Sequence, residues 1–268
     1  MNPAELLDRW DDQQAAYVAD REGRFSAILE VLGPVLDESA ARGADGPAVV
    51  VDLGCGPGSL SLRVLQRFPR VHVVGIDYDP LLLRIASGSL ADHADRLTLV
   101  DHDLTRSDWV EVVGRALGGR APHAVVSTTA LHWLPAGNLV ALYRQVGQLL
   151  APGGVMLNGD HFRFDDANPT LRAISAAHDE TTQQAGFAAG AMTWDQWWAA
   201  ARTIPDGEQL AAERERRFAD RPPNPPTTVE FHLAALRQAG LTESAPAWQF
   251  LDDYVVLGRL PGGVDVDG

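Results

Sequence analysis

The chain of 268 residues contains no lysine, so all 22 basic side chains are arginines. This absence excludes a lysine Schiff base and the lysine of a phosphate-binding P-loop. The 36 acidic residues give a net charge of -14. Because nucleic-acid binding rests on clustered cationic contacts, we expect no polynucleotide partner.

Cysteine and long apolar runs are also scarce. The single Cys55 excludes an internal disulfide and a cysteine-based zinc site, and we expect no metal. No run reaches the roughly 18 apolar residues of a membrane span, and the first residues lack a secretory-signal pattern. We therefore expect a cytoplasmic protein without a membrane partner, either a monomer or a homodimer.

From residue 48 onward, β-branched runs alternate with helical segments. Two late runs, TESAPAWQFLD and YVVLGRL, lie so close together that only an antiparallel hairpin can join them. Five earlier runs are separated widely enough for parallel strands with helices on both faces: AVVVDL, VHVVGID, LTLVDHD, HAVVSTT and GVMLNGD. The predicted fold class is α/β, with a Rossmann-like seven-stranded sheet that is mostly parallel and ends in an antiparallel hairpin.

Helix boundary signals support this division. Asp79 followed by Pro80 predicts an N-cap with proline at the first helical position. Thr227 and Glu230 predict a capping box for a helix over 227–239, which Gly240 would end.

The clearest motif is a glycine-rich turn between the first strand and the first helix of the sheet. Gly54, Gly56 and Gly58 would let a ligand approach the backbone and would leave N–H groups free at a helix N-terminus. A dinucleotide-binding fingerprint needs a glycine at its sixth position, where this chain has Ser59. A nicotinamide-dependent reductase is therefore disfavoured.

With Asp52 two residues before the first glycine, the turn resembles the first motif of the class I S-adenosylmethionine-dependent methyltransferases. The stretches LHWLP and LLAPGGVML are similar to members that act on small molecules, such as the trans-aconitate methyltransferases. The resemblance covers residues 46–160 and 227–260. It implies S-adenosyl-L-methionine as the cofactor and S-adenosyl-L-homocysteine as the product.

The resemblance also implies roles for acids that follow successive strands. Asp77 would accept both ribose hydroxyls, since a carboxylate can accept two donors. Asp103 would face the adenine amino group beside the backbone N–H of Leu104, and Ser127 would line the methionine part. The expected cofactor-binding residues are Tyr17, Asp52, Gly54, Cys55, Gly56, Gly58, Asp77, Tyr78, Asp103, Leu104 and Ser127.

The acceptor is expected at the carboxyl ends of strands four and five. His161 and His132 are the candidate catalytic bases, since imidazole can take a proton near neutral pH. Their alternatives are a hydrogen-bonded strand-end histidine and a helix-start residue. The candidate substrate-binding residues are Trp133, Arg163, Trp194 and Trp197. The last two share a helix face with Trp198, and that face could instead form the core of a small lobe.

These patterns divide the chain into four parts. Residues 1–45 would form an N-terminal helical lid, and residues 46–161 with 227–260 the methyltransferase core. Residues 162–226 would form an inserted helical lobe after strand five that covers the acceptor site. Residues 261–268 would form a flexible tail.

The resemblance implies transfer of a methyl group by in-line displacement to a small-molecule acceptor, more readily at oxygen than at nitrogen or carbon. Alignment of the two reactants can supply much of the acceleration. The alternative is a catalytically idle S-adenosylmethionine-binding protein with a regulatory or scaffold role.

Overall fold

The computed structural model describes residues 1–41, 46–221 and 226–262. Most of the expected tail, from residue 263 onward, and residues 222–225 of the proline-rich run lie outside the described residues.

One seven-stranded sheet forms the centre of the fold, with strand order β3-β2-β1-β4-β5-β7-β6. Strands β1 to β5 are parallel, and β7 runs antiparallel to both of its neighbours. This topology confirms the predicted fold class. The strands are β1 Val49–Leu53, β2 His72–Asp77, β3 Leu97–Asp101, β4 Ala124–Thr128, β5 Val155–His161, β6 Glu243–Phe250 and β7 Asp253–Arg259.

Helices cover both faces of the sheet and its carboxyl edge. Within the described residues they are α1 Pro3–Tyr17, α2 Arg21–Ala41, α3 Ser59–Arg67, α4 Pro80–Ser89, α5 Trp109–Ala116, α6 Ala136–Leu149, α7 Pro169–Ala188, α8 Trp194–Ala201, α9 Gly207–Phe218 and α10 Val229–Gln238. Two short 3-10 turns lie at Ala91–His93 and Leu131–Trp133. Helices α7, α8 and α9 are the insertion between β5 and α10.

Most helix boundary signals act as expected, with one exception. Asp79 caps α4 by accepting the backbone N–H groups of Leu81 and Leu82. The predicted capping box at Thr227 is wrong, because the N-cap is Thr228, one residue later, whose hydroxyl accepts the N–H of Phe231. The Thr227 hydroxyl instead lies 2.7 Å from Nε2 of the buried His232.

Each face of the sheet has its own apolar core. On one face α2 and α3 pack against the strands, with Phe25, Ile28 and Val64 among the buried side chains. On the other face α5, α6 and α10 contribute Trp109, Tyr143 and Leu236. No helix of the described residues is long and apolar enough to cross a membrane.

A third core joins the N-terminal helices to the insertion. Trp197 of α8 is fully buried beside Leu6 of α1 and Leu81 of α4. Its indole N–H donates to the carbonyl of Leu6 at 3.0 Å, and its ring centre lies 4.6 Å from that of Trp10. Trp197 therefore connects three segments that are far apart in sequence.

We predict that Trp197→Ala lowers the free energy of unfolding by about 3–5 kcal/mol, the range for truncation of a buried aromatic side chain. The matched control is Trp194→Ala, since Trp194 of the same helix is 40% exposed. Urea unfolding would measure both variants. Equal losses would show that Trp197 is not the packing centre of this core.

Candidate functional site

Hydrogen bonds and close steric contact both hold the glycine-rich turn in place. The N–H groups of Gly54 and Cys55 both donate to the carbonyl of Ile76, at 2.8 and 3.1 Å. A side chain at Gly54 would collide with Cβ of Ala130, the residue that follows Thr129 at the end of β4. The turn therefore packs directly against the segment that leads to His132.

Gly56 has a different environment from its neighbours. Its φ angle is +54°, and an added Cβ would meet only Leu82 within 4 Å, at 4.0 Å. The backbone at this position therefore faces open space. Such a cradle suits a ligand that lies close against the main chain.

Asp77 ends β2 beside this cradle. Its Oδ2 accepts the N–H of Gly56 and its Oδ1 that of Asp79, both at 2.8 Å. Burial raises the pKa of Asp77 to about 6. Each carboxylate oxygen can accept a further hydrogen bond, so the group can take two hydroxyl donors.

Asp52 lies fully buried at the end of β1. Its Oδ2 accepts the Ser61 hydroxyl at 2.6 Å, whereas Oδ1 has no partner among the described residues. Burial raises the pKa of Asp52 to about 7, and the charge of Asp77 acts in the same direction. An orphaned buried acceptor of this kind calls for a donor from outside the described chain.

Two other expected cofactor residues have structural partners. Cys55 is buried, and burial raises the pKa of its thiol well above the ordinary value, so the thiol is unreactive. Ser127 donates its hydroxyl to the carbonyl of Leu53 at 2.7 Å and thereby ties the end of β4 to the end of β1.

Together these groups fit the adenosine part of S-adenosylmethionine. Gly56 supplies an open cradle, and Asp77 supplies acceptors for two hydroxyls beside it.

Tyr17 packs edge-on against Phe187 of α7, with ring centres 5.7 Å apart. Helix α1 reaches the glycine turn through Asp11 instead, which accepts the Ser59 hydroxyl at 2.6 Å.

The insertion contacts two of the residues that the sequence assigned to the cofactor, Asp103 and Tyr78. Oδ2 of Asp103 accepts a hydrogen bond from Nη2 of Arg221 at 2.6 Å. Its Oδ1 accepts hydrogen bonds from the backbone N–H and the hydroxyl of Thr105, each at 2.9 Å. The ring of Tyr78 packs against Phe218 of α9, with centres 5.7 Å apart. Leu104 is partly buried against the adjoining core. These contacts involve α9 and the residues after it, and the expected position of the insertion over the acceptor stays a prediction.

His132 forms a pair with Asp160 at the ends of β4 and β5. Nδ1 of His132 donates to Oδ1 of Asp160 at 2.8 Å, and its backbone N–H lies 3.2 Å from Oδ2. Burial lowers the pKa of His132, but the charge of Asp160 outweighs it and raises that pKa overall. Burial would raise the pKa of Asp160, yet His132 and Arg24 hold it well below its usual range.

His161 and Arg24 meet at a second buried carboxylate. Nδ1 of His161 lies 2.7 Å from Oδ1 of Asp253, which also pairs with Nη2 of Arg24. Arg24 donates to the Thr129 hydroxyl at 2.8 Å and to the carbonyl of Gly159 at 3.3 Å. Thr129 has φ +53°, an unusual backbone conformation for a β-branched residue. Such residues concentrate at functional sites.

The candidate substrate residues have separate environments. Trp133 is 63% exposed and its ring centre lies 4.9 Å from that of His132. Arg163 pairs with Asp179 at 2.8 Å and with Asp252 at 2.9 Å. Trp197 belongs to the core shared by α1 and α8, whereas the more exposed Trp194 packs on Trp10, with ring centres 6.0 Å apart. In the part of the chain that the structure describes, no ring contact joins either tryptophan to His132.

Sequence reasoning missed Asp11, Asp160 and Asp253. Asp160 had a usable signal, since it precedes His161 at the end of a strand whose carboxyl end faces the acceptor. Asp253 had none, because only the pairing of β5 with β7 brings it opposite His161. Among the described residues, no group of three or more His, Cys, Asp or Glu side chains could hold a metal ion.

Comparisons with known proteins agree with this geometry. Residues 50–154 match the family described as methyltransferase domain. Trans-aconitate 2-methyltransferase from Azoarcus sp. (strain BH72) is 31% identical over 56% of this chain and 50% of its own length. The enzyme of the same name from Methylobacterium radiotolerans is 35% identical over 62% and 56%. The chain thus spans about half the length of these relatives.

Two further comparisons are a shorter sequence match and a match to a solved structure. Ribosomal RNA small subunit methyltransferase H from Rhodococcus opacus is 39% identical over 35% of this chain and 27% of its own. An O-methyltransferase family protein from Burkholderia thailandensis has a TM-score of 0.52 at 17% identity, covering 94% of this chain and 63% of its own. That likeness shows the fold.

The matched domain contains the glycine-rich turn, Asp77 and Asp103, and the sheet is the mostly parallel, seven-stranded one with a closing hairpin that the sequence predicted. The methyltransferase domain over residues 50–154 and the trans-aconitate 2-methyltransferase relatives support a class I S-adenosylmethionine-dependent methyltransferase.

Proposed function

We propose that this protein methylates a hydroxyl group of a small molecule with S-adenosylmethionine as the methyl donor. The His132–Asp160 pair is the observation that carries the proposal. It lies on the segment that packs against Gly54, and therefore beside the cradle that suits the cofactor.

The cofactor, when bound, supplies an electrophilic methyl group on a positively charged sulfur. Asp77 and the backbone at Gly56 would hold its ribose, and the end of β4 at Ser127 would line its methionine part. Because the leaving group is already activated, the protein contributes mainly alignment of the acceptor and exclusion of water.

A hydroxyl acceptor must also lose a proton, and His132 is placed to take it. Since Nδ1 donates to Asp160, the neutral ring presents Nε2 as an acceptor. Nε2 has no hydrogen-bond partner among residues 1–41, 46–221 and 226–262. Asp160 raises the basicity of the ring and fixes its orientation. His161 is less exposed than His132, at 14% against 33% of the side chain, and remains a secondary candidate.

The charges near His132 favour a neutral acceptor over a polycarboxylate. Arg163 is paired with two carboxylates, and Arg24 and His161 share a third. The charges of the two arginines are therefore already compensated. The exposed Trp133 would supply an aromatic wall next to His132. The names of the trans-aconitate relatives suggest carboxylate methylation instead. Assays with a panel of acceptors would distinguish hydroxyl methylation from carboxylate methylation.

A small acceptor also suits the net charge of -14, which would repel the phosphates of a ribosomal RNA. The cytoplasmic location and the choice between monomer and homodimer remain predictions. An idle cofactor-binding protein is the outcome expected if the cofactor binds and no acceptor is methylated.

We predict that Asp77→Ala weakens S-adenosylhomocysteine binding by about 1.5–3 kcal/mol, the range for hydrogen bonds to a charged group. Isothermal titration would measure it. The control is Asp92→Ala, since Asp92 lies exposed in the turn Ala91–His93. Equal affinity in the two variants would remove Asp77 from the cofactor site.

The affinity for S-adenosylhomocysteine should also depend on pH. The pKa of Asp77 is raised to about 6 by burial, so the group is protonated below that pH and ionised above it. The ionised form is the better acceptor for ribose hydroxyls. We therefore expect the dissociation constant to rise as the pH falls from 7 to 5 (about one unit on either side of this pKa). A dissociation constant in Asp77→Asn that changes equally over this range would contradict this assignment.

We predict that His132→Gln lowers kcat for a neutral hydroxyl acceptor by about 100-fold or more, the usual contribution of a general base. His178→Gln serves as a control on α7. Product formation would be followed by mass spectrometry over a panel of phenols, aliphatic alcohols and tricarboxylates. Turnover of tricarboxylates alone, unchanged in His132→Gln, would overturn the hydroxyl proposal.

Asp160→Asn should shift the pH profile of the same reaction. Asp160 raises the pKa of His132, so replacing Asp160 with a neutral side chain should lower that pKa. The rise of kcat with increasing pH should then occur at lower pH, and the plateau of kcat should be lower. A profile with an unmoved limb would show that His132 does not titrate in the reaction.

A further inference from the structure

Three arginines of the insertion contact acids at the carboxyl ends of β2 and β3. Arg214 and Arg217 are three residues apart in α9, and Arg221 follows just beyond its end, so we call them the arginine ladder. Their partners are Asp79 at 2.6 Å from Arg214, Asp101 at 2.6 and 3.0 Å from Arg217, and Asp103 at 2.6 Å from Arg221.

The ladder also contacts Tyr78, the residue after the ribose acid. The guanidinium carbons of Arg217 and Arg221 lie 4.8 and 5.0 Å from the centre of its ring. Nη1 of Arg217 donates to the Tyr78 carbonyl at 3.0 Å. The insertion therefore contacts Tyr78, an expected cofactor-binding residue, and Asp103, the acid expected to face adenine.

One oxygen of Asp103 has two donors and the other has one, so a single acceptor position is left, beside the guanidinium of Arg221. Thr105 donates twice to Oδ1, and Arg221 donates to Oδ2 through a charge-assisted bond. The adenine amino group is a neutral donor, and charge-assisted bonds are roughly twice as strong as neutral ones. Adenine therefore has to share Oδ2 with the guanidinium of Arg221 or displace it.

We propose, on the basis of the proposed function, that Arg221 is a cofactor-site residue that occupies Asp103 until adenine replaces it. The insertion thus bears on how tightly the cofactor binds, in addition to any contact with the acceptor.

The exposure of this pair makes the exchange feasible. The side chains of Arg221 and Asp103 are 28% and 15% exposed, whereas those of Arg24 and Asp253 are 0% and 3% exposed. A partly solvated ion pair is weak because water compensates both charges when they separate. Arg214 and Arg217 would keep α9 in place while Arg221 moves.

The test compares S-adenosylhomocysteine binding to the wild type, Arg221→Gln and Arg216→Gln by isothermal titration at pH 8. This ligand has no net charge, so attraction to the acidic protein does not affect the comparison. Arg216 is a matched control because it lies on α9, is 72% exposed and pairs with Glu213. Circular dichroism would verify that the variants are folded.

We expect Arg221→Gln to bind about two- to fivefold more tightly than the wild type, which corresponds to the loss of one surface ion pair. Arg216→Gln should bind like the wild type. In an Asp103→Asn background, Arg221→Gln should bring no gain, since the competition requires the charged carboxylate.

Weaker or unchanged binding in Arg221→Gln would overturn the inference, as would an equal gain in the Asp103→Asn background. These outcomes leave the proposed function intact. Failure of the wild type to bind S-adenosylhomocysteine would instead overturn the proposed function, and the inference with it.

Discussion

The buried ion pair between Arg24 and Asp253 is the interaction on which the proposed acceptor end of the sheet depends. It joins α2 to the start of β7, and Arg24 also bonds Thr129 and Gly159 at the ends of β4 and β5. Loss of either partner would leave an uncompensated charge in the interior, which is far more costly than loss of an exposed pair. The N-terminal helices and the closing hairpin are therefore not independent additions, since both hold the segment that carries His132.

The antiparallel hairpin contributes to the site as well as to the sheet. Because β7 lies between β5 and β6, its first residue pairs with His161 and its second with Asp160. The carboxyl end of β5 thus meets the amino end of β7, and a carboxylate from each lies next to a histidine. A wholly parallel sheet would bring only carboxyl ends to this edge. The reversal of one strand adds a second acid to the acceptor end.

The sequence predicted the sheet, the glycine-rich turn and Asp77, because these signals are local: a strand, a turn and an acid occur within about twenty residues. It could not place α9, whose alternating Glu213, Arg214 and Glu215 read as a solvated helix with internal ion pairs. The partner of Arg221 is 118 residues away in the chain. The three tryptophans of α8 showed their common face, but the spacing could not show that this face is turned toward α1.

The absence of lysine has a consequence for the contacts of α9. A guanidinium stays protonated at every pH at which proteins fold, and it cannot be neutralised by acetylation as a lysine can. The charge of the arginine ladder is therefore constant, and only its partner carboxylates can change their charge. The fit of the insertion to Asp79, Asp101 and Asp103 can thus be altered by acid or by salt, but not by acetylation of its cationic side.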